Sequence, residues 1–599
     1  MLGFFNRMLR IDLTSASARV EPLSDEILSR TLGGKGLGTY LLLQDLEPNL
    51  DPLSPENEVI FATGPATGTA IWGGSRLAAV TKAPLTGIYG ESYVGGRIAP
   101  QVKRSGYDAV IIEGKSQAPI YLVISDQGVE FRDASHLWGQ ETFAAEKAML
   151  QEVGASKAAA LVIGPAGEKL VSFALIKSDL WRSFGRGGFG AVLGSKGIKG
   201  IVFHGAEKCP IADEKLLLEL NREIAAAAKG SPVTQIYRNF GTPNQVKVTN
   251  TFGCFPTRYW SEGRFENWQN LGADYMHEHF EVKSKACPNC FLMCTKHSVV
   301  KDGPYKGLQL EGPEFETIYA FGGLNCLNSL EEVAYLNDLC DRLGIDTMTA
   351  GNVTAFAIEA ARRGRLDFSI DYGQTGRIAD LLQLIATQEG VGKVLSQGVR
   401  AAGQELGLED LAVHVKGMEP GGFDPRALKG MGLAYAISSR GACHLRGTFY
   451  KAELSGQIDA ATTEGKARLF VDYEGRAVLS DSLILCRFFR DMIGWKELST
   501  LISATAGMSL NQEELASFAS RINTWTRIFN VREGISRKDD TLPDHFFENP
   551  LPDGRIMSRE ELAFMLDEYY ALHGWDREGR PSARQIEEVM PEMEKISAS

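Results

Sequence analysis

The chain has 599 residues, 44% of them hydrophobic and 23% charged, with a formal net charge of −12 and nine cysteines. One domain takes ~100–200 residues, so several cores are expected, and the ordinary hydrophobic and charged shares exclude disordered, collagen-like and coiled-coil classes. The acidic balance offers no basic face for nucleic acid, and no apolar run reaches the ~20 residues of a membrane span; the odd, sparse, clustered cysteines fit a reducing compartment and a metal site rather than a disulfide framework.

The opening stretch MLGFFNRMLRIDLTS alternates like a strand and carries no small-residue cleavage site, so a cytoplasmic location is expected. Up to about residue 208, apolar runs such as EVIFATG, YDAVIIEG, IYLVIS and AAALVIG predict short strands, and IYLVISDQGVEFRDAS predicts a hairpin turning at Asp126-Gln127-Gly128. Glycine loops punctuate this region: GGKGLG at 33–38, GPATGT at 64–69, WGGSR at 72–76, VGGR at 94–97 and FGRGGFGAVLGSKG at 184–197. None meets the context of a P-loop or a dinucleotide fingerprint. Two of them end beside arginine, Arg76 after WGGS, and Arg182 and Arg186 around SFG before a predicted helix. Glycine admits backbone N–H groups to an anion and arginine adds a planar fork, so two anion sites, and hence two phosphates, are expected.

After Cys209-Pro210 the pattern turns helical, with ADEKLLLELNREIAAAAKG first. SLEEVAYLNDLCDRLG at 329–344 predicts the clearest helix, capped by Ser329 with Glu332 and closed by Gly344. Further helices are predicted from Met348 to Arg363, through DLLQLIATQEG and from Gln512 to Glu533. A run that cannot continue a helix, Gly417-Met418-Glu419-Pro420-Gly421-Gly422, predicts a boundary. The expected domains are therefore a β-rich 1–208, a helical 209–417 and a helical 418–599.

Residues 286–297 read ACPNCFLMCTKH, with Cys287, Cys290 and Cys294 at C-x2-C-x3-C. Tetrahedral zinc and a [4Fe–4S] cluster both want a fourth ligand. The only nearby histidine, His297, completes no paired zinc pattern, which favours the cluster. Spacing alone leaves Cys209, Cys254, Cys326, Cys340, Cys443 and Cys486 as the fourth. A weak sequence pair, Asp341-Arg-Leu-Gly-Ile-Asp346 and Asp481-Ser-Leu-Ile-Leu-Cys486, ends its second copy in one of these.

In this order, EVIFATGPATGT, the VTKAPLTG stretch after Arg76, RSFGRGGFGAVLGSKGIKGI, CPNCFLMC, EGPEFET and the paired Asp motifs resemble the tungsten-dependent aldehyde ferredoxin oxidoreductase family. The likeness reaches the C-terminal ELAFMLDEYYALHGWDREG. It implies an α+β fold in three domains, a β-rich base and two largely helical domains enclosing a tungsten (or molybdenum) bis-pterin beside one [4Fe–4S] cluster. Cys287, Cys290, Cys294 and Cys486 become the implied cluster ligands. Asp341, Ile345 and Asp346 resemble the contacts to one pterin, and Asp481 and Leu485 those to the other. Arg76, Gly95, Arg182, Ser183 and Gly185 match loops that hold the pterin phosphates and a bridging Mg2+, with Arg440 and Arg446 flanking the cofactor. Because dithiolene sulfurs hold the tungsten in that family, the chain needs no metal-ligand motif of its own for it.

Three positions depart from the family pattern. Ile484 stands where glycine is usual, so a different backbone path is expected there, because a β-branched residue resists positive φ. Tyr93 replaces an asparagine near the magnesium, leaving its backbone carbonyl as the contact. Tyr335 and Asp338 occupy positions of a Glu-x-x-His pair that binds an iron at the dimer axis, so homodimerisation lacks sequence support and a homo-oligomer stays open.

Glu316, ending EGPEFE, and His444, in RGACHLRG, resemble the acid and base on the open side of the metal. The resemblance implies oxidation of a small aldehyde, with His444 donating to the developing oxyanion and Glu316 acting as general base. The expected electron acceptor is a ferredoxin or an iron–sulfur partner subunit. Two other readings compete: a benzoyl-CoA-reducing tungsten subunit of the same family, and a non-catalytic zinc or iron–sulfur module. The aromatics of RYWSEGRFENWQN suit either a substrate funnel or core packing, the commoner use.

Overall fold

The computed structural model describes residues 1–590. Twelve strands form two six-stranded sheets in the first third of the chain. They are β1 (Arg7–Asp12), β2 (Ser17–Pro22), β3 (Val59–Ala62), β4 (Leu77–Lys82), β5 (Tyr89–Val94), β6 (Ala109–Glu113), β7 (Ile120–Ser125), β8 (Gly128–Asp133), β9 (Ala159–Ile163), β10 (Ile176–Ser178), β11 (Arg182–Phe184) and β12 (Ile198–Phe203). The first sheet runs β2-β1-β6-β3-β4-β5 and the second β11-β10-β9-β12-β7-β8. Each contains one parallel pair, β1/β6 and β12/β7, in an otherwise antiparallel ladder. The predicted hairpin is present: Ser125 pairs with Gly128, leaving Asp126-Gln127 as the turn.

Strands such as VIFA, LAAVTK and AALVI are buried throughout, because both faces of each sheet are covered. Side chains alternate between faces along a strand. Leu9, Phe61, Ala79 and Ile112 of the first sheet meet Leu122, Leu161, Ile176 and Ile201 of the second in one core. The opposite set, Ile60, Val80 and Ile111, packs on the helix Gly34–Asp45 and on helices beyond residue 478, so the two ends of the chain share a core. Tyr121, Ala160 and Val202 pack on the helix Thr142–Val153.

The GGKGLG run is the entry to the helix Gly34–Asp45. A Cβ on Gly34 would lie 2.3 Å from the Asp481 carbonyl, and one on Gly36 would lie 2.0 Å from that of Thr31. These glycines therefore serve close backbone packing, and Gly36 N–H donates to Ser482 Oγ at 3.2 Å.

The helices Leu330–Leu343, Thr347–Arg362, Thr375–Thr387 and Gln512–Arg532 lie where the periodicity predicts them. Ser329 accepts from Glu332 N–H at 3.3 Å, and Gly344 closes the first of these helices at φ 79°. Tyr259, Trp260 and Phe265 of the aromatic loop are core residues; Trp260 packs edge-on against Tyr319 and Phe546. The helical middle region also holds a small antiparallel sheet that the helical reading overlooks: β13 (Phe280–Lys285), β14 (Thr295–Val300) and β15 (Gln309–Glu311). Its first strand, FEVKSK, alternates with period two but is short and exposes its polar face. No helix among the described residues is long and apolar enough to cross a membrane.

Candidate active site and metal centre

The β13–β14 connection carries Cys287, Cys290 and Cys294, turned by Asn289 and Met293 in left-handed conformations. The WGGSR loop clamps it to the distant fourth cysteine. Gly73 N–H donates to the Asn289 carbonyl at 3.3 Å, and the Gly73 carbonyl accepts from Cys486 N–H at 3.0 Å. Ser75 Oγ donates to the Pro288 carbonyl at 2.7 Å. Glycine is required at 73, where φ is +81° and a Cβ would lie 2.7 Å from the Phe489 ring.

All four cysteines line one cavity of about 230 Å³, together with Arg76, Tyr93, Gly95, Arg182 and Ser183. Arg76 Nη2 reaches Cys486 Sγ at 3.5 Å, and a Cβ on Gly95 would lie 3.4 Å from Cys287 Sγ. Burial, and then the neighbouring Cys486, push the Cys290 thiol up to about 12. Among the described residues no three His, Cys, Asp or Glu side chains converge on a single-ion site. Thiols lining a cavity of this size fit a polynuclear cluster better than one zinc. The buried Trp181 Nε1, without an acceptor in the protein, borders the same cavity and suits a sulfur acceptor. The other candidate thiols lie elsewhere: Cys254 and Cys340 are buried with thiols pushed well up by burial, and Cys209 and Cys326 line no part of this cavity.

Tyr93 turns its hydroxyl to Glu91 at 2.5 Å, while its carbonyl accepts from Arg76 Nη1 at 3.4 Å. Behind it lies a buried charge cluster. Glu91 Oε1 pairs with Lys35 at 2.8 Å and Arg446 at 3.0 Å; Asp481 Oδ2 pairs with Arg446 at 2.8 Å and Arg487 at 2.5 Å. Arg440 Nη1 donates to the Glu91 carbonyl at 2.5 Å. Four cations thus face two carboxylates, and the Nε atoms of Arg440, Arg446 and Arg487 are buried without acceptors. Uncompensated buried donors are costly, so this cradle fits an anionic group. Against the upward push of burial, Arg446 and Lys35 hold Glu91 well below the usual carboxylate range. Lys35, Glu91 and Arg487 escaped the sequence reading. The available signals were a lysine inside GGKGLG, an acid within a buried strand and an arginine next to Cys486.

The two Asp motifs are the same structural device. Asp341 and Asp481 each sit in the last turn of a helix, Leu330–Leu343 and Lys466–Leu483, and the fourth residue of each motif is a left-handed cap. Gly344 has φ 79°, ψ 43°; Ile484 has φ 65°, ψ 49°. Ile345 N–H returns to the Cys340 carbonyl at 2.9 Å, and Leu485 N–H to that of Ser480 at 2.7 Å. The expectation of a different path at Ile484 is therefore wrong. Its side chain is fully buried between Ala62 and Ala78. Burying isoleucine contributes about 1.5–3 kcal/mol, enough to offset the roughly 1–2 kcal/mol of a left-handed non-glycine residue.

Asp341 is engaged by Lys177 at 2.6 Å and Asn337 at 2.9 Å. Asp346 caps the helix Thr347–Arg362 and pairs with Arg186 at 3.2 Å. Arg186 also donates to the Glu419 and Ala442 carbonyls at 2.8 and 3.2 Å, so it is a strut between segments rather than a free anion clamp. Gly185 lines no part of the cysteine cavity. Tyr335 stacks on Tyr305 and Asp338 pairs with Arg342.

The EGPEFE segment sends its acids to two sites. Glu314 lines the cysteine cavity, while Glu316 Oε1 lies 3.4 Å from His444 Nε2 and its Oε2 accepts from Gly422 N–H at 3.0 Å. A Cβ on Gly421 would lie 2.8 Å from His444 Nδ1, so glycine there lets the loop backbone pack closely on the imidazole. Nδ1 itself is buried without a partner. Tyr435 and Tyr319 donate to the Gly421 and Pro420 carbonyls at 3.1 and 2.6 Å and fix this loop. Phe423 stacks on Tyr450 at 3.9 Å beside the imidazole. Burial pushes Glu316 up to about 8, with Gly422 N–H and Arg186 pulling the other way. Burial and then Arg186 and Arg440 press His444 well below its ordinary value, so the imidazole is neutral. Next to it, burial acts upward on Cys443, but Arg440 and Arg446 lower its thiol to about 7. Arg440 Nη2 donates to Cys443 Sγ at 2.9 Å, which accounts for this cysteine apart from the other four.

Comparison with known proteins gives this architecture its relatives. Residues 8–205 match the family described as aldehyde ferredoxin oxidoreductase, N-terminal domain, and residues 219–589 match domains 2 and 3 of the same family. A tungsten-containing aldehyde ferredoxin oxidoreductase of Pyrococcus furiosus is 34% identical over 98% of this chain and 99% of its own length. The WOR-like subunit of an aliphatic sulfonate oxidoreductase from the same organism is 30% identical over 98% of this chain and 97% of its own. Among solved structures, the active-site complex BamBC of benzoyl coenzyme A reductase with 1,5-dienoyl-CoA superposes with a TM-score of 0.86, covering 100% of this chain and 99% of that one; at 24% identity this shows a shared fold. The chain belongs to the aldehyde ferredoxin oxidoreductase family, a family of oxidoreductase enzymes.

Proposed function

We propose that the protein oxidises aldehydes to carboxylic acids at a tungsten (or molybdenum) bis-pterin centre and passes the electrons through one [4Fe–4S] cluster to a ferredoxin or an iron–sulfur partner subunit. The observation that carries this reading is the pairing of half-buried Glu316 with buried His444, beside a cation-rich cradle that Arg76 joins to a four-cysteine cavity. Cys287, Cys290, Cys294 and Cys486 would hold the cluster. Asp341, Ile345 and Asp346 would border one pterin, and Asp481 and Leu485 the other. Arg76, Gly95, Arg182, Ser183 and Gly185 would hold the phosphates, with the Tyr93 carbonyl toward a bridging Mg2+ and Arg440 and Arg446 completing the cradle. When bound, the tungsten supplies the two-electron redox change and the cluster single-electron transfer.

The reaction RCHO + H2O → RCOO− + 3H+ + 2e− demands a group that takes a proton and a donor for the carbonyl oxygen. With its carboxyl protonated, Glu316 donates to His444 Nε2. The imidazole then carries hydrogen on Nδ1, which lacks a protein acceptor. That N–H is the donor to the substrate oxygen, preorganised in a water-poor site. As the carbonyl oxygen takes the Nδ1 proton, Glu316 passes its own proton to Nε2, and the carboxylate so formed is the base that accepts a proton from the attacking water.

Anaerobically purified native protein tests the proposal. About one tungsten or molybdenum and four irons per chain, with aldehyde-dependent reduction of a viologen dye, are expected. Zinc alone, or turnover of benzoyl-CoA with a low-potential donor but of no aldehyde, would overturn it.

A further inference from the structure

A groove of about 760 Å³ opens beside Cys287, away from Glu316. Its walls are the helix Thr142–Val153, residues 179–182 and the 285–288 stretch that enters the cysteine turn. It shares Trp181, Arg182 and Cys287 with the cysteine cavity, so a single layer of side chains separates that cavity from solvent here. Ala286, Pro288 and Asn289, around the first two cysteines, are exposed. Trp181 forms the partition, packed edge-on against Phe143 and His297 with ring centroids at 6.2 and 5.5 Å.

The groove is also a local exception to the charge of the chain. Arg97 is balanced by Asp179 at 2.8 Å, and Arg182 by Glu311 at 3.0 Å. Glu146 is buried, and burial pushes it up to about 7. Lys147 and Lys285 are exposed and have no carboxylate partner among the described residues; Lys285 lies over the Trp181 ring at 5.7 Å. The rim is therefore positive on a chain of net charge −12. Charges beyond ~8 Å are largely screened at physiological ionic strength, so this rim, not the distant acids, governs what settles here.

Resting on the proposed function, we infer that this groove is the docking surface for an acidic ferredoxin-type carrier, which takes one electron at a time from the cluster across the Cys287 edge. Two such transfers, each reducing one oxidised carrier centre, balance the two electrons of one aldehyde oxidation. Complementary charge would guide encounter and register, and the half-buried rings of Phe143 and Trp181, which line the groove, would supply the dry centre.

A bacterial 2[4Fe–4S] ferredoxin is the probe. In K147E/K285E, its affinity by titration calorimetry should fall at least ten-fold and lose most of its salt dependence, while benzyl-viologen-linked aldehyde turnover and iron content are not lowered. In the native complex, carbodiimide should cross-link ferredoxin carboxylates to Lys147 or Lys285. Unchanged affinity, cross-links confined to other faces, or a change of oligomeric state with ferredoxin affinity retained would overturn the inference and leave the proposed function standing. Absence of viologen-linked turnover in the native protein would instead overturn the function, and the calorimetry and cross-linking would still decide the surface.

Discussion

The helix ends at Asp341 and Asp481 follow one backbone trace with different residues, and the difference lies in what surrounds each cap. At Gly344 a Cβ would meet the Gly164 backbone nitrogen at 2.9 Å, so the site has no room for a side chain. At Ile484 two alanines leave room for a side chain that is fully buried against them. The left-handed cap is common to both; the neighbour decides whether it must be glycine. The acids differ too. Asp341 is matched by one lysine and one amide, whereas Asp481 sits where cations outnumber carboxylates. One motif is closed by the protein, and the other has donors to spare for a ligand.

Exchange of the caps breaks the symmetry hardest. Gly344→Ile adds a left-handed branched residue to a backbone clash and should cost about 3–5 kcal/mol, measured as denaturant midpoint or as loss of soluble protein. Asp341→Ala leaves Lys177, 1% exposed, without its carboxylate and should cost roughly 3–5 kcal/mol; Asp481→Ala should cost less, because Arg446 keeps Glu91 at 3.0 Å and Arg487, which loses its carboxylate, is 12% exposed to water. Equal losses for the two alanine variants would contradict the contrast drawn between them. Ile484→Gly removes strain but opens a cavity, for a net loss of about 1–2 kcal/mol; a gain in stability would show that the pocket contributes little.

The pair at Glu316 adds a pH signature. Its folded-state value, about 8, lies above the ordinary carboxylate value of 4.5, so its contribution is fully present below that ordinary value and is lost as pH rises through the folded one. Native stability should fall by about 3 kcal/mol between pH 5 and 8 from this group, and Glu316→Gln should flatten that slope in denaturation curves. An unaltered slope in the variant would mean that Glu316 is not held protonated.

Much of the fold was legible because its signals are local. Apolar runs gave the strands, and Ser329 and Gly344 bracketed their helix. The small sheet β13–β15 was not legible, since its strands are only three to six residues long and their alternation is too brief to stand out within a helical stretch. The three clustered cysteines were legible from spacing, but Cys486 only through the family resemblance, because its approach depends on the Gly73 clamp between distant segments. Lys35 and Glu91 were hidden for the same reason: each reads as an ordinary loop or strand residue until the fold brings them together with Arg446. The path at Ile484 departs from the expectation because the conformational preference of ~1–2 kcal/mol is offset by burial against Ala62 and Ala78, neighbours that only the fold supplies.

The most direct test of the account is electron paramagnetic resonance of the anaerobic, metal-replete protein after addition of an aldehyde. A reduced [4Fe–4S] signal is expected to appear with aldehyde in the native protein and to be absent in Glu316→Gln, although dithionite still elicits it in both. An aldehyde-dependent signal of full intensity in the variant would contradict the catalytic role of Glu316, and no cluster signal under dithionite would contradict the four-cysteine centre.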